Sequence, residues 1–366
     1  MVTSPNTPPR FGNLQVEVSS RCNLRCRTCI AHELHGQWQA EDLSPEVFAR
    51  IEEIAPRCRS IHLQGWGESL LRDDLPQLVR RLKARGCLVT LSSNGTIMNA
   101  ALARALIDAG LDSMAFSLAG PSADVADPLR GEGTFDVACE SIRSFIRQRK
   151  TPRHPPVLIN YLLTPRNLRL LSRAVVLCAR LGVDGLKGTH MVHVCTGEQQ
   201  ALIAYRRPGD RGQGLFWSRA LAFFRRVPLW LPPMEEELVP ICDKNPGQNF
   251  FVAADGSLAP CVYLAPPLRG SFPVLRTTGK TTASRFTLGN LGQQTLDTIW
   301  QDDAYQHFRQ RFQARLQLYN SLLQGIPANS EGAKRLERAL AQIKERFATD
   351  LQAPEPCRGC AHLLGL

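Results

Sequence analysis

The 366-residue sequence contains no run of about 18 apolar residues, which excludes a hydrophobic membrane-spanning helix. Its first residues, MVTSPNTPPRFGN, are polar and proline-rich and lack the apolar region of a secretory signal. The chain is therefore expected in the cytoplasm, with no membrane partner. It also lacks a long block of one charge sign, although 44 lysines and arginines against 33 acidic residues leave a net charge of +11. Dispersed positive charge suits an acidic substrate or an acidic electron donor and makes nucleic acid an unlikely partner. No internal repeat is present beyond an alternation of strand-like and helix-like segments. At 43% hydrophobic and 21% charged, the composition is that of an ordinary globular enzyme.

What the sequence has in excess is cysteine, with twelve residues. A cytosolic chain keeps thiols reduced, so clustered cysteines there point to metal or catalysis rather than to disulfides. Cys58, Cys87, Cys139 and Cys178 stand alone in apolar surroundings and read as small buried hydrophobes. Cys22, Cys26 and Cys29 fall within eight residues, and Cys242, Cys261, Cys357 and Cys360 form a second set near the C-terminus.

From residue 14 onward, β-branched runs alternate with helical patterns. Strands are expected at 14–19, 60–65, 87–93, 113–120, 157–164 and 184–190, and helices at 45–55, 74–86, 98–109, 133–149 and 167–181. Ser44, Pro45 and Glu46 form a helix start, and NGT, AGLD and LGVDG are stop or turn signals. Six strand–helix units predict a parallel sheet, as an open barrel or a doubly wound sheet, with chemistry at the carboxyl ends of the strands. The three-cysteine loop follows the first strand at that end. After about residue 195 the rhythm breaks: 214–227 reads as a short amphipathic helix, 248–263 as a hairpin turning at Asp255-Gly256, and 294–350 as charge-rich helix interrupted at QGIPANSEG.

Three thiolates suit an iron–sulfur cluster that keeps one iron open, whereas zinc needs a fourth ligand, for which His32 or His35 is available. The four tail cysteines suit zinc or a fully ligated cluster, and spacing alone does not separate these.

The stretch VEVSSRCNLRCRTCIAHEL resembles the signature of radical S-adenosylmethionine (SAM) enzymes, and three further matches follow in order. Gly65-Trp66-Gly67-Glu68 resembles the motif of that superfamily that meets the methionine amino group, with Trp66 as a variant between the glycines. LSSNG, including Ser93 and Asn94, resembles its third-strand segment. Ser117 and Arg130 match the serine and arginine that contact the SAM ribose and carboxylate. Thr28 departs from the pattern, because an aromatic residue near the adenine usually precedes the last cysteine; Ile30 is a candidate substitute.

Cys242 through Cys360, together with LGNLGQQTLDTIW, resembles the SPASM/twitch extension of the same superfamily, in its one-cluster form. The resemblance implies a partial (β/α)6 TIM-like barrel over 11–200, a connector over 201–240 and an auxiliary-cluster domain over 241–366 with a helical insertion at 303–350. The insertion reads as a plain structural hairpin or as a docking surface or lid. The implied cofactors are a SAM-binding [4Fe-4S] cluster held by Cys22, Cys26 and Cys29, SAM itself, and an auxiliary [4Fe-4S] cluster held by the tail set.

The implied chemistry is SAM cleavage to a 5′-deoxyadenosyl radical that abstracts substrate hydrogen, with a flavodoxin- or ferredoxin-type electron donor. Two substrate classes fit: a ribosomal peptide or protein side chain, and a small molecule such as a sugar or alcohol. A peptide maturase often carries an N-terminal leader-binding domain, and only about ten residues precede the first strand here, which counts against the peptide reading without removing it. A zinc-stabilised binding protein without catalysis is a third reading. Cys195, with His190 and His193 at the sixth strand's end, is a candidate hydrogen-atom donor or cluster ligand, or else a buried cysteine between surface histidines. Glu17 and Gln64 are candidate inward-facing polar contacts.

Overall fold

The computed structural model describes residues 11–205, 211–239, 241–276, 279–327 and 329–366. Six parallel strands, β1 (Phe11–Val16), β2 (Cys58–Leu63), β3 (Leu88–Ser93), β4 (Ser113–Leu118), β5 (Val157–Leu162) and β6 (Gly185–Thr189), pair in chain order. Helical segments connect them, so the sheet is of the open, barrel-like α/β kind expected from the alternation. Each expected strand is present, displaced by at most three residues. The largest shift is at β1, whose paired residues stop at Val16, ahead of a bend at Val18 and an isolated bridge from Ser19 to Asp42.

Side-chain alternation gives the sheet two chemically different faces. Leu14, Val16, Ile61, Leu63, Val89, Leu91, Phe116, Ile159, Tyr161 and Leu186 are buried in one apolar core with helix residues such as Val47, Phe48 and Ile51. The alternate positions Gln15, His62, Thr90, Ser92, Ser117, Asn160 and Lys187 line a cavity of about 760 Å³ on the other face. The helix Pro45–Ile54 starts as the sequence indicates, with the Ser44 side chain accepting from the Val47 N–H at 3.3 Å.

The C-terminal half extends this sheet at both edges. β7 (Leu229–Trp230) pairs parallel to β6. β8 (Phe250–Val252) pairs parallel to β1, and β9 (Ser257–Ala259) returns antiparallel to β8 through a turn in which Gly256 adopts φ +82°. Further along the chain, β10 (Ser271–Arg276) and β11 (Gly279–Ser284) form a separate hairpin that the sequence did not announce. β12 (Gly289–Asn290) pairs with β9, so the sheet runs β12-β9-β8-β1-β2-β3-β4-β5-β6-β7.

Phe11 of β1 packs edge-on to Phe250 and Trp300, at 5.3 and 4.7 Å between ring centroids, which ties this extension to the first strand. The expected helical insertion consists of helices Asp303–Leu323 and Ser330–Ala348, which pack on each other. Among the described residues, no helix is long and apolar enough to cross a membrane.

Candidate active site

No disulfide joins any of the twelve cysteines among the described residues. Cys22, Cys26 and Cys29 lie on the loop after β1, at the carboxyl end of the sheet, and line the large cavity. Burial pushes the Cys22 thiol up to about 11 and the Cys29 thiol up to about 12. The neighbouring thiols add to both shifts, and Arg130 opposes them. Three crowded thiols that resist ionisation in isolation become thiolates when a metal centre supplies the positive charge, so the donor set fits an iron–sulfur cluster. Among the described residues no His, Cys, Asp or Glu trio is arranged as a preformed metal site.

The loop is held by groups from several strand ends. The Arg27 N–H donates to Leu129 O at 2.9 Å, and the Gln199 amide donates to Arg27 O at 3.0 Å. Asn23 and Asn94 share a side-chain hydrogen bond of 2.9 Å, and Asn94 Oδ1 accepts from Thr96 N at 2.8 Å. Asn94 thus ties the end of β3 to the cysteine loop through its side chain.

The glycines of GWGE are required by close approach. A Cβ on Gly65 would lie 2.4 Å from the Glu17 side chain, and one on Gly67 would lie 2.3 Å from Ser19 O and 2.5 Å from Arg21 O. Glu68 is 3% exposed, and its two carboxylate oxygens accept from Leu70 N at 3.1 Å and Asn94 N at 2.7 Å. Burial raises its pKa against those donors. Ser93, Ser117 and Arg130 line the same cavity, as do Thr28 and Ile30. Ile30 is only 1% exposed and packs with Leu34, Leu268 and Phe272, and Trp66, which also lines the cavity, packs against the same cluster.

Trp66 connects the two cysteine regions. Its indole N–H donates to Val262 O at 3.0 Å, and its ring stacks on His193 with centroids 5.7 Å apart. The His193 Nε2 to Tyr263 O distance is 2.7 Å. Cys242, Cys261, Cys357 and Cys360 are half-buried and converge on a second, small cavity of about 40 Å³. Cys261, Tyr263, His193 and Lys244 line both cavities, so the two sites share a wall. Burial lifts Cys242 to about 12, with Cys360 adding to the shift, and raises Cys261 further.

Arg315, 4% exposed, faces this set, and burial lowers it to about 10 while Cys242 and Cys357 oppose the shift. Phe308 lines the small cavity as well. The insertion at 303–350 is therefore more than a plain hairpin, because its first helix closes over the tail cysteines and brings a cation to them.

The inner face carries a hydrogen-bonded chain that sequence reading missed apart from Gln64. His62 Nδ1 lies 2.7 Å from Thr90 Oγ1, and His62 Nε2 lies 2.8 Å from Gln64 Oε1. Ser92 Oγ lies 3.2 Å from His62 Nε2 and accepts from Asn160 at 3.3 Å. Burial lowers the His62 pKa, against the hydrogen bond to Gln64. Lys187, level with Asn160 and Ser117 in register, also faces the cavity; burial and the nearby Lys244 charge lower its pKa.

Glu17 does not face the cavity. It is fully buried, accepts from Trp66 N at 2.6 Å and Ala254 N at 3.3 Å, and is raised by burial to about 7. Cys195 is likewise not among the cavity-lining residues. It is 7% exposed and packs with Ile30, Leu34 and Phe272, and burial pushes its thiol up to about 11. His190 is 5% exposed rather than a surface histidine, and its Nε2 lies 2.8 Å from Pro233 O.

Comparison with known proteins agrees with this geometry. The Radical SAM superfamily matches residues 16–171, and SPASM, an iron–sulfur cluster-binding domain, matches residues 242–320. A relative from Pyrococcus furiosus, "Tungsten-containing aldehyde ferredoxin oxidoreductase cofactor-modifying protein", is 25% identical over 81% of this chain and 82% of its own. An AdoMet-dependent heme synthase of Methanosarcina barkeri is 26% identical over 78% of this chain and 81% of its own. The chain spans about half the length of a pre-heme d1 synthase of Dinoroseobacter shibae (48%), at 29% identity over 53% of this chain.

In fold, the chain is similar to anSMEcpe, solved with AdoMet and the Kp18Cys peptide, at TM-score 0.62 and 16% identity over 83% of this chain and 84% of that one. It is also similar to Streptococcus suis SuiB, solved with the precursor peptide SuiA, at TM-score 0.59 and 14% identity over 82% of this chain and 67% of that one. The matched families bring a SAM-binding [4Fe-4S] cluster, SAM and auxiliary iron–sulfur chemistry. The chain is a radical SAM superfamily enzyme whose C-terminal segment carries a SPASM-type iron–sulfur cluster-binding domain.

Proposed function

We propose that the enzyme modifies a side chain of a peptide or protein, with Cys22, Cys26 and Cys29 holding the SAM-binding cluster and Cys242, Cys261, Cys357 and Cys360 holding one auxiliary cluster. The observation that carries this reading is the cavity of about 760 Å³, walled on one side by the three-cysteine loop and on the other by Cys261 and its neighbours. That volume accommodates a cofactor and a substrate side chain together. When bound, the cluster and SAM supply a 5′-deoxyadenosyl radical that takes a hydrogen atom from an unactivated C–H bond.

The chain's own residues bind, orient and shield. Gly65 and Gly67 let the second strand's end approach the cysteine loop, and Glu68 with Ser93 and Asn94 fixes that end. Arg130 and Ser117, which line the cavity, would hold the SAM carboxylate and ribose. Gln64, His62 and Asn160 offer a fixed row of hydrogen-bonding groups to substrate, and Lys187 offers a cation for an anionic substrate group. In this reading Cys195 packs the wall behind Ile30 and takes no part in hydrogen transfer. An acidic flavodoxin- or ferredoxin-type donor suits the net charge of +11.

The peptide complexes of anSMEcpe and SuiB support the peptide reading through fold likeness. A small-molecule substrate is the second reading, favoured by the relatives matched over most of their length, which are named for cofactor modification and heme synthesis. Anaerobically reconstituted protein should form 5′-deoxyadenosine from SAM under reduction, and a Cys22→Ala, Cys26→Ala, Cys29→Ala variant should not. A cell extract that stimulates this formation should lose its effect after exhaustive proteolysis if the substrate is a peptide. Stimulation by a protease-treated, low-mass filtrate would instead establish the small-molecule reading.

A further inference from the structure

The helix Arg211–Phe224, between β6 and β7, is oriented against the usual rule of burial. It packs on helix Leu171–Leu181 with Ser218 and Ala222, 1% and 3% exposed, and with Leu215 and Leu221 partly buried against the core, and Ser218 Oγ lies 2.9 Å from Ser172 Oγ. Its aromatic side chains point the other way. Phe216, Trp217, Phe223 and Phe224 are 64%, 66%, 79% and 78% exposed. With Ala220 between them, these positions follow the i, i+1, i+4, i+7, i+8 spacing of a single helix face. Together they leave on the order of 500 Å² of apolar surface in water, at the upper end of what monomeric proteins expose.

Charge identifies what covers this face. No aspartate or glutamate occurs between residues 211 and 234, while Arg219, Arg225 and Arg226 are all exposed beside the aromatics. Phenylalanine and tryptophan on one helix face with arginine at its margin is the composition of a helix lying in the headgroup region of an anionic bilayer. A second copy of this chain fits poorly, since a two-fold contact would bring Arg219 and Arg226 from both copies together with no carboxylate from the helix between them. The absence of a spanning segment does not bear on the question, because a helix lying on the surface needs none.

We propose that the helix Arg211–Phe224 is a peripheral membrane-binding element that seats the enzyme on anionic lipid. The aromatic stripe enters the interface and Arg219 and Arg226 meet phosphate groups. This does not depend on the substrate reading above, and it concerns a part of the molecule outside both cysteine sites.

The test is co-sedimentation of the full-length protein with phosphatidylcholine vesicles and with vesicles containing about one-third phosphatidylglycerol, at low and high salt. Binding is expected only to the anionic vesicles and is expected to weaken with salt. A variant with Phe216, Trp217, Phe223 and Phe224 all changed to serine should lose it while unfolding at an unchanged temperature. An Arg219→Gln, Arg226→Gln variant should bind roughly tenfold or more weakly. Absence of sedimentation with anionic vesicles at low salt would overturn the proposal. So would binding that the serine variant retains, or concentration-dependent self-association, abolished by the serine variant, in a protein that ignores vesicles.

Discussion

Replacing Gly67 with alanine would place a Cβ 2.3 Å from Ser19 O, 2.5 Å from Arg21 O and 2.6 Å from Ser20 C. All three are backbone atoms, so no side chain can rotate aside. Ordinary van der Waals contact begins near 3.4 Å, so the chain just before Cys22 must retreat by about 1 Å. Overpacking of this kind destabilises by about 1–3 kcal/mol. A displacement of about 1 Å at a reacting centre lowers rates by roughly a hundredfold. The expected phenotype is a folded protein, melting a few degrees lower, with fewer iron atoms per chain and about a hundredfold slower SAM cleavage after identical reconstitution. Gly36→Ala is the matched control, because a Cβ there meets nothing within 4 Å. Iron and sulfide content, melting temperature and 5′-deoxyadenosine formation measured on both variants decide the matter. If Gly67→Ala matches Gly36→Ala in all three, the packing of GWGE on the cysteine loop is not what positions that loop.

Other consequences can be checked separately. Glu17 is raised from 4.5 to about 7, so between those values the folded chain holds a proton that the unfolded chain has released. Stability from this group is therefore full below about pH 4.5 and is lost as pH rises through about 7, by roughly 3 kcal/mol across the window. The melting temperature of wild type minus that of Glu17→Gln should fall between pH 5 and pH 8, and a difference independent of pH would refute the assignment. Arg315→Met removes the buried cation facing the tail cysteines and should lower the auxiliary cluster's reduction potential in an EPR-monitored titration, with Arg315→Lys partly restoring it. Lys187→Met should leave substrate-free SAM cleavage unchanged and raise the KM for an anionic substrate by tenfold or more, with Lys187→Arg intermediate; an unchanged KM would remove Lys187 from substrate recognition.

The parallel order of β1–β6 was readable because short strands with one buried apolar face are separated by helices with clear start and stop signals. The three-cysteine loop and GWGE were readable because their chemistry requires fixed residue types at fixed spacing. Strands of two residues, such as β7 and β12, carry no period, and only long-range pairing with β6 and β9 defines them. The β10–β11 hairpin was hidden by its second strand, GKTTAS, which is mostly exposed and has no apolar alternation. Gln199 and Arg315 escaped notice for a related reason. Each acts on residues more than 35 positions away, and on its own helix looks like an ordinary polar side chain. Glu17 and Cys195 show the limit of placing a side chain by strand direction alone: both sit near the cavity, yet both point into packed protein.

The pairing of β8 with β1 has a consequence for how the protein matures. Leu14, Gln15 and Val16 are flanked by Phe250–Val252 on one side and by β2 on the other, and Glu17 bridges Trp66 and Ala254. The strand that leads into the first three cysteines thus completes its hydrogen bonding only when residues translated more than two hundred positions later have arrived. A nascent chain released before residue 250 would present β1 as a bare edge, open to pairing with other chains. Insertion of either cluster is accordingly expected to follow, not precede, synthesis of the C-terminal segment, making the two metal sites a single late step in biogenesis.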